Sequence, residues 1–265
     1  MKKIIAILLV CCLCVPSLMG QSYRTDFSSK DYVDTAATMI WLGPSMSGQL
    51  PMGDLHKTFK ANLALGANFT VKTQKNWTFD LSFSYMFGAN LRDATASFLG
   101  DMVREVGGEH IIIDGNGLES QLYFEGRYWF VGPSFGKVIP VNRWKNSGIW
   151  LRFGAGYFGH KIRINDYDNQ VPQLLDDYKK LYDHRSAGFA MNQFIGYLFI
   201  QKNRLLNFYG GIEFYEIWSK PNRNYVFPEG PTANMKYKFS GLAGIKIGWN
   251  IPLYEKKSVT TFYYR

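Results

Sequence analysis

Two neighbouring stretches decide the fold class: FKANLALGANFTVK at 59–72 and WTFDLSFSYMFG at 77–88. In the first, apolar side chains occupy every second position from Phe59 to Val71, and mostly small or polar side chains lie between them. The second repeats the alternation from Trp77 to Phe87. A period of two indicates β-strands with one apolar face and one polar face. Because only residues 73–76 separate the stretches, they predict an antiparallel pair joined by a tight turn.

The same alternation recurs along the chain and predicts eight strands. The six further strands lie at 39–49, 121–137, 149–157, 187–200, 206–214 and 243–253. Gln193 interrupts the apolar positions of one of them. Short connections at 73–76, 138–148 and 201–204 alternate with outer connections at 51–57, 89–120, 165–186 and 220–235. An even number of strands with short turns at one end and longer loops at the other is typical of outer-membrane β-barrels.

Composition excludes two other classes of protein. Among 265 residues, 46% are hydrophobic, 17% are aromatic and only 19% are charged. A disordered chain would be rich in charge and poor in aromatics. A coiled coil would be dominated by Ala, Glu, Lys and Leu. No stretch after the N-terminal segment is apolar over the 18 or so residues that a membrane-spanning helix needs.

The N-terminal segment MKKIIAILLVCCLCVPSLMG has the layout of a secretory signal peptide. Two lysines precede an apolar run that ends at the small residue Gly20, where cleavage is expected. All three cysteines, Cys11, Cys12 and Cys14, lie within this segment, so the mature chain has none. A lipoprotein is the weaker alternative, because none of these cysteines follows a small residue.

The strands of a soluble, lipocalin-like barrel would show the same alternation of apolar and polar residues. The composition of the polar face therefore has to distinguish a soluble barrel from a membrane barrel. That face is rich in small residues such as Gly66, Gly154 and Ser84, which suit a narrow interior better than a water-facing surface. The apolar face carries rings such as Trp77 and Trp249 near strand ends, as interfacial girdles do. We therefore predict an all-β fold, a closed eight-stranded antiparallel transmembrane β-barrel in the outer membrane with both termini periplasmic.

The predicted organisation has four parts. They are a signal peptide at 1–20, a periplasmic N-terminal segment at 21–38, the barrel at 39–254 and a periplasmic C-terminal tail at 255–265. Two outer loops are predicted to be partly helical and to cap the barrel. The apolar residues that recur at helical spacing are Phe98, Leu99, Met102, Val103 and Val106 in one loop, and Leu174, Leu175, Tyr178, Leu181 and Tyr182 in the other.

Charged residues of both signs are predicted to point inward. They are Lys60, Asp80, Glu125, Arg127, Arg152, Glu213 and Lys246. The interior of an eight-stranded barrel is just wide enough for side chains to fill it. Charges in such a space must pair, so we expect an internal salt-bridge network, with a proton or ion path as the alternative.

Charge also differs between the two ends of the predicted barrel. The outer connections carry more acids than bases, whereas the N-terminal segment, the short turns and the C-terminal tail carry more bases. These segments would form a basic rim at the periplasmic end, which would attract an acidic periplasmic partner or anionic headgroups. The alternative is that these charges are solvated and bind no partner. The predicted partner contact comprises Lys75, Arg143, Trp144, Lys145, Lys202, Arg204, Lys256 and Lys257. A nucleic-acid partner is not expected for an exported membrane chain.

The sequence offers little catalytic chemistry. His56, His110, His160 and His184 all fall on the predicted outer side, with Asp166, Asp168 and Asp183 near some of them in the sequence. No HExxH, GxSxG, phosphate loop or metal-ligand spacing accompanies them. We predict no catalytic residues, no bound metal and no cofactor, with an outer-membrane enzyme as the alternative.

Three stretches of the C-terminal half carry a resemblance to a known family. They are GHKIRINDYDNQVPQLLDDYKKLYDH at 159–184, FIGYLFIQKNRLLNFYGGIEF at 194–214 and GIKIGWNIPLY at 244–254. They resemble the small outer-membrane barrel of the type IX secretion system, the PorG-type component; related PorT-like and OmpA-like barrels stay open as alternatives. The resemblance implies a non-enzymatic part of a Gram-negative protein-transport machinery. It also implies contact from the periplasmic side with a ring of a lipoprotein and its partner, of PorK and PorN type. No residue of this sequence matches a contact motif of that family.

The sequence thus predicts a structural barrel that lies among outer-membrane lipids and anchors a periplasmic assembly. A small transporter or pore and a surface-binding barrel are the competing functions.

Overall fold

The computed structural model describes residues 36, 38–89, 91–92, 99, 104–106, 109–120, 122–141, 144–166, 171–175, 178–201, 207–227, 229–232 and 234–253. The predicted signal peptide 1–20, most of segment 21–38 and the tail 255–265 lie outside them.

The regular elements are mostly strands. In chain order they are β1 (Met39–Gly53), α1 (Asp54–Thr58), β2 (Asn62–Lys72), β3 (Trp77–Ala89), β4 (Arg104–Val106), β5 (Glu109–Ile111), β6 (Leu122–Val141), β7 (Trp144–Asp166), 3-10 turns at Pro172–Leu174 and Tyr178–Leu181, β8 (Ser186–Phe199), β9 (Phe208–Pro221), β10 (Tyr225–Val226), β11 (Gly230–Pro231), β12 (Lys238–Trp249) and β13 (Ile251–Pro252). No helix among these residues is both long and apolar enough to cross a membrane.

Eight of the strands form a ring in which every neighbouring pair is antiparallel. The order is β12-β9-β8-β7-β6-β3-β2-β1, and β12 pairs back with β1 from Ser45↔Gly248 to Gly53↔Ser240. The eight predicted strands are therefore confirmed, and their neighbours in the ring are their neighbours along the chain. The pairing of β1 with β12 and β13 is interrupted at Gly43 and Pro44, and Pro44 has no backbone N–H to donate.

The side chains of the ring strands alternate as the sequence predicts. In β3, Phe79 and Leu81 on the outer face are each 56% exposed, whereas Ser82 and Ser84 are buried inside the ring. Each of the ring strands places apolar side chains outward. Representative exposed residues, one from each strand, are Leu50, Leu65, Phe83, Phe135, Leu151, Ile195, Ile212 and Ile245. The ring thus has an apolar outer face and a mixed polar and aromatic interior.

We call the end of the ring that carries the long connections the loop end. The strands differ in length there. β6 and β7 continue past the last residues of their neighbours, since β3 ends at Ala89 opposite Glu125 and β8 begins at Ser186 opposite His160. The inward side chains of this extension, among them Phe124 and Ile164, are buried with loop residues in one apolar core.

The outer loops predicted to be partly helical are so in part where the structure describes them, since Leu99 has α-helical backbone and Leu181 lies in a 3-10 turn. Val106 lies in β4, which pairs with β5 as a short hairpin, and Leu174 and Tyr178 lie in 3-10 turns. Of the remaining residues behind the first helix prediction, Phe98, Met102 and Val103 lie outside the described residues. Leu99 and Leu174 both lie in the apolar core at the loop end.

Candidate functional site: the interior and two rims of the ring

A buried ion pair lies inside the ring toward the end with short turns, which we call the turn end. Arg152 Nη1 of β7 lies 3.9 Å from Asp80 Oδ1 of β3, and both side chains are fully buried. The Thr70 hydroxyl donates a hydrogen bond to the same carboxylate. The guanidinium of Arg152 also lies 4.6 Å from the ring centre of Trp150 and 4.8 Å from that of Phe194. These contacts fix the positions of Arg152 and Asp80. Removing either residue would leave the buried charge of the other uncompensated.

A second buried ion pair lies on the opposite wall of the ring. Lys246 Nζ of β12 lies 3.1 Å from Glu213 Oε2 of β9. The side-chain amide of Gln49 donates to the other oxygen of Glu213 at 2.6 Å. Asn68 connects the two sides of the interior, since it accepts from the Tyr209 hydroxyl at 2.9 Å and donates to Thr70 at 3.0 Å. Glu213, Lys246, Gln49, Asn68 and Thr70 thus make hydrogen bonds inside the ring, whereas the Arg152 guanidinium makes none among the described residues and is held by its ion pair and its aromatic contacts.

Three of the charges predicted for this network lie elsewhere. Lys60 precedes β2 and is exposed. Glu125 and Arg127 form an ion pair with each other on the outer face of β6, because the inward positions of that strand belong to Phe124, Gly126, Tyr128 and Phe130. The prediction is wrong for these residues because aromatic side chains fill the interior at their level.

Aromatic pairs occupy much of the remaining interior. Trp41 and Trp150 contact near the turn end, with ring centres 6.2 Å apart. Phe130 and Tyr215 contact further along, at 5.2 Å. Phe59 and Tyr128 do so near the loop end, at 5.0 Å. The sequence pattern predicted that Phe59 lies on the apolar outer face. Phe59 instead points inward, because the regular pairing of β2 begins only at Asn62. Inward side chains from all eight strands therefore fill the interior.

The turn end brings together two residues of the predicted basic rim. Lys75 lies in the turn between β2 and β3, Lys145 lies at the start of β7, and both are exposed. The side-chain amide of Asn76 donates to the backbone oxygen of Lys145 at 3.2 Å, which joins this turn to the start of β7. Arg143, Lys202, Arg204, Lys256 and Lys257 lie outside the described residues, and the side chain of Trp144 is not described.

At the loop end, polar contacts join the connection before β8 to the connection after β9. Arg223 makes a two-pronged contact with Asp183, and its hydrogen bond to that carboxylate raises the pKa of the guanidinium. The rings of Tyr182 and Phe227 stack at 5.2 Å. Thr232 donates to the backbone oxygen of Arg223. These contacts form an ordered cap over the ring.

A cavity of about 90 Å³ lies between this cap and the ring interior. Its lining includes His160 and His184, together with Asp54, Glu229 and Lys238. Burial lowers the pKa of His184, and the nearby Glu229 carboxylate opposes that shift. Lys238 lies 3.8 Å from Asp54 and 3.9 Å from Glu229. Among the residues that the structure describes, no three His, Cys, Asp or Glu side chains are placed to hold a metal ion.

The outer face also carries polar residues that the sequence reasoning missed or misjudged. Gln193, which interrupts the apolar positions of β8, donates to Glu216 of β9 at 3.1 Å. On β6 and β7 a charged group that includes Arg127, Lys161 and Arg163 faces outward near the loop end. Alternation along β6 could not have located Arg127, because both faces of that strand are rich in apolar residues.

The geometry defines an all-β chain built around a ring of eight antiparallel strands with an apolar outer face. The sequence matches no protein-family model and no curated protein.

Several solved structures resemble the ring. The attachment invasion locus protein Ail of Yersinia pestis aligns with a TM-score of 0.44 and 9% identity, over 81% of this chain and 99% of Ail. Neisserial surface protein A aligns with a TM-score of 0.41 and 8% identity, over 79% of this chain and 96% of that protein. The N-terminal β-barrel domain of Pseudomonas aeruginosa OprF aligns with a TM-score of 0.34 and 11% identity, over 80% and 98% of the two chains.

Proposed function

We propose that this chain is a non-enzymatic outer-membrane β-barrel that is closed to diffusion and anchors a periplasmic protein assembly. The observation that carries the proposal is the apolar outer face. Ile245 is 68% exposed, and Phe79, Leu81 and Leu50 are more than half exposed, in a belt to which every ring strand contributes. Monomeric soluble proteins rarely expose contiguous apolar patches larger than a few hundred Å². Lipid is the medium that suits such a belt.

The N-terminal segment supports the outer membrane as the location. A signal peptide sends the chain out of the cytoplasm, and β-barrels with short periplasmic turns are the spanning proteins of the outer membrane. In this orientation the turn end, with Lys75 and Lys145, faces the periplasm, and the cap faces outward.

The filled interior favours an anchor over a pore. Buried ion pairs and aromatic pairs from all sides meet inside a barrel whose diameter leaves little space beyond its side chains. The solute path that a transporter needs would have to displace several of these contacts together. No step of the proposed function requires a catalytic residue.

The partner is proposed from charge and from resemblance. Lys75 and Lys145 are exposed at the turn end, where they would attract an acidic protein surface. The stretches 159–184, 194–214 and 244–254 resemble the PorG-type barrel, so we propose the type IX secretion machinery as the assembly. Its periplasmic ring of PorK-type and PorN-type proteins would supply the contact.

The test is co-purification from native outer membranes. The variant Lys75→Glu/Lys145→Glu reverses two charges of the turn end, and we expect it to reduce recovery of the periplasmic partner about tenfold, because rim charges govern association between charged surfaces. Proteins retained by the wild-type chain and lost by the variant would be identified by mass spectrometry.

The matched control is Lys60→Glu/Lys236→Glu, which makes the same charge change at two exposed lysines of the loop end. It should retain the partner. Equal recovery with both variants, or no stable partner of the wild-type chain, would contradict the anchoring function.

A further inference from the structure

The outer face of β6 and β7 carries three cations and one carboxylate close to the loop end. Arg127 lies directly opposite Lys161, and Glu125 lies directly opposite Arg163. Lys161 and Arg163 are exposed, and Arg127 and Glu125 are partly exposed. Directly opposed side chains on neighbouring strands have Cβ atoms about 4.5–5.5 Å apart. The group, which we call the β6–β7 cation cluster, is therefore compact.

The cluster lies immediately beyond a pair of aromatic rings on the same face. Trp129, two residues from Arg127 along β6, contacts Tyr157 of β7 with ring centres 5.3 Å apart. The indole lies against Gly159, where any Cβ would be only 2.5 Å from its nitrogen. Beyond these rings, away from the loop end, the same face continues with Val131, Phe135 and Phe153, all exposed. The surface passes in order from apolar residues to aromatic rings to cations.

Local charge favours an anion at this place. Like charges directly opposite each other on paired strands are unfavourable, and Arg127 and Lys161 are such a pair. Glu125 balances part of this charge through its contact with Arg127. The Nε–H group of Arg127 is buried and donates to no hydrogen-bond acceptor among the described residues. The Arg127 guanidinium also lies 6.0 Å from the ring centre of Phe87, which helps to fix its position.

We propose that the β6–β7 cation cluster binds the phosphate of a phosphorylated glycolipid of the outer leaflet, with the acyl chains of that lipid along the apolar face below. The proposal rests on the membrane location proposed above. Guanidinium and ammonium groups are the usual ligands of phosphate oxygens, and aromatic rings accommodate the boundary between headgroup and acyl chain. A lipid satisfies both the cations and the apolar face, whereas a soluble anion would satisfy only the cations.

The test uses the full chain in detergent micelles, titrated with lipid A and, separately, with dephosphorylated lipid A. Lys161→Gln/Arg163→Gln removes two cations and leaves the Arg127–Glu125 pair intact, and we expect it to weaken lipid A binding about tenfold. Glu125→Gln releases Arg127 from its carboxylate and should strengthen binding. A folding defect would not produce this opposite response.

The matched control is Lys220→Gln/Lys236→Gln, which removes two cations from the same end of the barrel but on other elements; Lys220 lies 5.3 Å from the ring centre of Tyr237. Its affinity for lipid A should stay within about twofold of wild type, as expected for surface charges without a shared ligand. Unchanged binding by Lys161→Gln/Arg163→Gln would overturn the site, as would equal binding of dephosphorylated lipid A. Competition by inorganic phosphate at the same concentration as lipid A would identify a free-anion site and would also overturn the lipid proposal.

Membrane fractionation of the same variants separates the two proposals. A chain that sediments with outer membranes but shows no cluster-dependent binding contradicts only the lipid site. A chain that does not associate with membranes contradicts both.

Discussion

Individual charges inside the barrel are held by specific partners. Glu213 receives hydrogen bonds from Lys246 and from Gln49, and Asp80 receives one from Thr70 beside Arg152. A buried pair of this kind does not necessarily stabilise a fold relative to apolar residues, but breaking it on one side leaves an uncompensated charge. The partners thus constrain each other more than they stabilise the barrel.

A prediction at this scale concerns Lys246. Lys246→Met leaves the Glu213 carboxylate without its cation, and we expect it to lower the free energy of unfolding by about 3–5 kcal/mol. The measurement is urea-induced unfolding of the barrel in lipid vesicles, followed by tryptophan fluorescence. Lys246→Met/Glu213→Gln removes both charges and should recover most of the loss. If the double variant were as unstable as the single variant, the pair would not be the cause.

Loop elements at the loop end are joined by side-chain contacts. The connection before β8 supplies Asp183 and Tyr182, and the connection after β9 supplies Arg223 and Phe227. Phe227 N–H also donates to the backbone oxygen of Leu181 at 3.0 Å. Among their described residues the two connections have only short 3-10 turns and the β10–β11 pair as regular structure, so each connection relies on contacts with the other.

The prediction at this scale is that Arg223→Gln loosens the cap and leaves the barrel intact. Loss of one partly exposed charge-assisted contact, of about 1–2 kcal/mol, should raise the rate of proteolytic cleavage in 220–237 about five- to thirtyfold. Limited proteolysis of the protein in vesicles, read by mass spectrometry, measures it. The control Arg185→Gln changes a nearby exposed arginine and should be cleaved like wild type. Faster cleavage of the control to the same degree would contradict the role of the Asp183 contact.

The whole molecule combines an apolar exterior with a filled interior. The two ion pairs, the Trp41–Trp150 pair and the Phe130–Tyr215 pair lie at successive positions between the two ends. Their combined effect is an interior occupied by side chains, which supports the proposal that the barrel offers no passage across a membrane.

The corresponding prediction is electrical. In planar lipid bilayers the wild-type chain should give no stable current of porin size, because side chains fill an eight-stranded barrel. Arg152→Ala/Tyr215→Ala removes two large inward side chains and should produce small, stable steps of conductance, provided that its heat-modifiable gel migration shows a folded barrel. A persistent open current of the wild-type chain would contradict the sealed interior and would favour a transporter.

The sequence by itself located the eight ring strands because one face of each strand must be apolar while the ring interior accepts small, polar and aromatic side chains. Asp80 and Glu213 were placed correctly inside because they alternate with the outward apolar residues of β3 and β9. For β6 the alternation does not identify the inner face. Phe124, Tyr128 and Phe130 fill its inner face while Trp129, Val131 and Phe135 occupy its outer face, so both faces are rich in apolar residues. Alternation alone does not tell which face is inside, and Glu125 and Arg127 were assigned to the wrong one.

What only the tertiary structure decided is which distant residues meet. The pairing of Arg152 with Asp80, the contact between Asp183 and Arg223 and the opposition of Arg127 and Lys161 each join residues from different strands or connections. Strand alternation reports the environment on each side of one strand, whereas these contacts depend on the register between strands and on how the connections fold over the ring. The sequence predicted that the two ends differ in charge, and the structure shows which cations lie opposite each other on neighbouring strands.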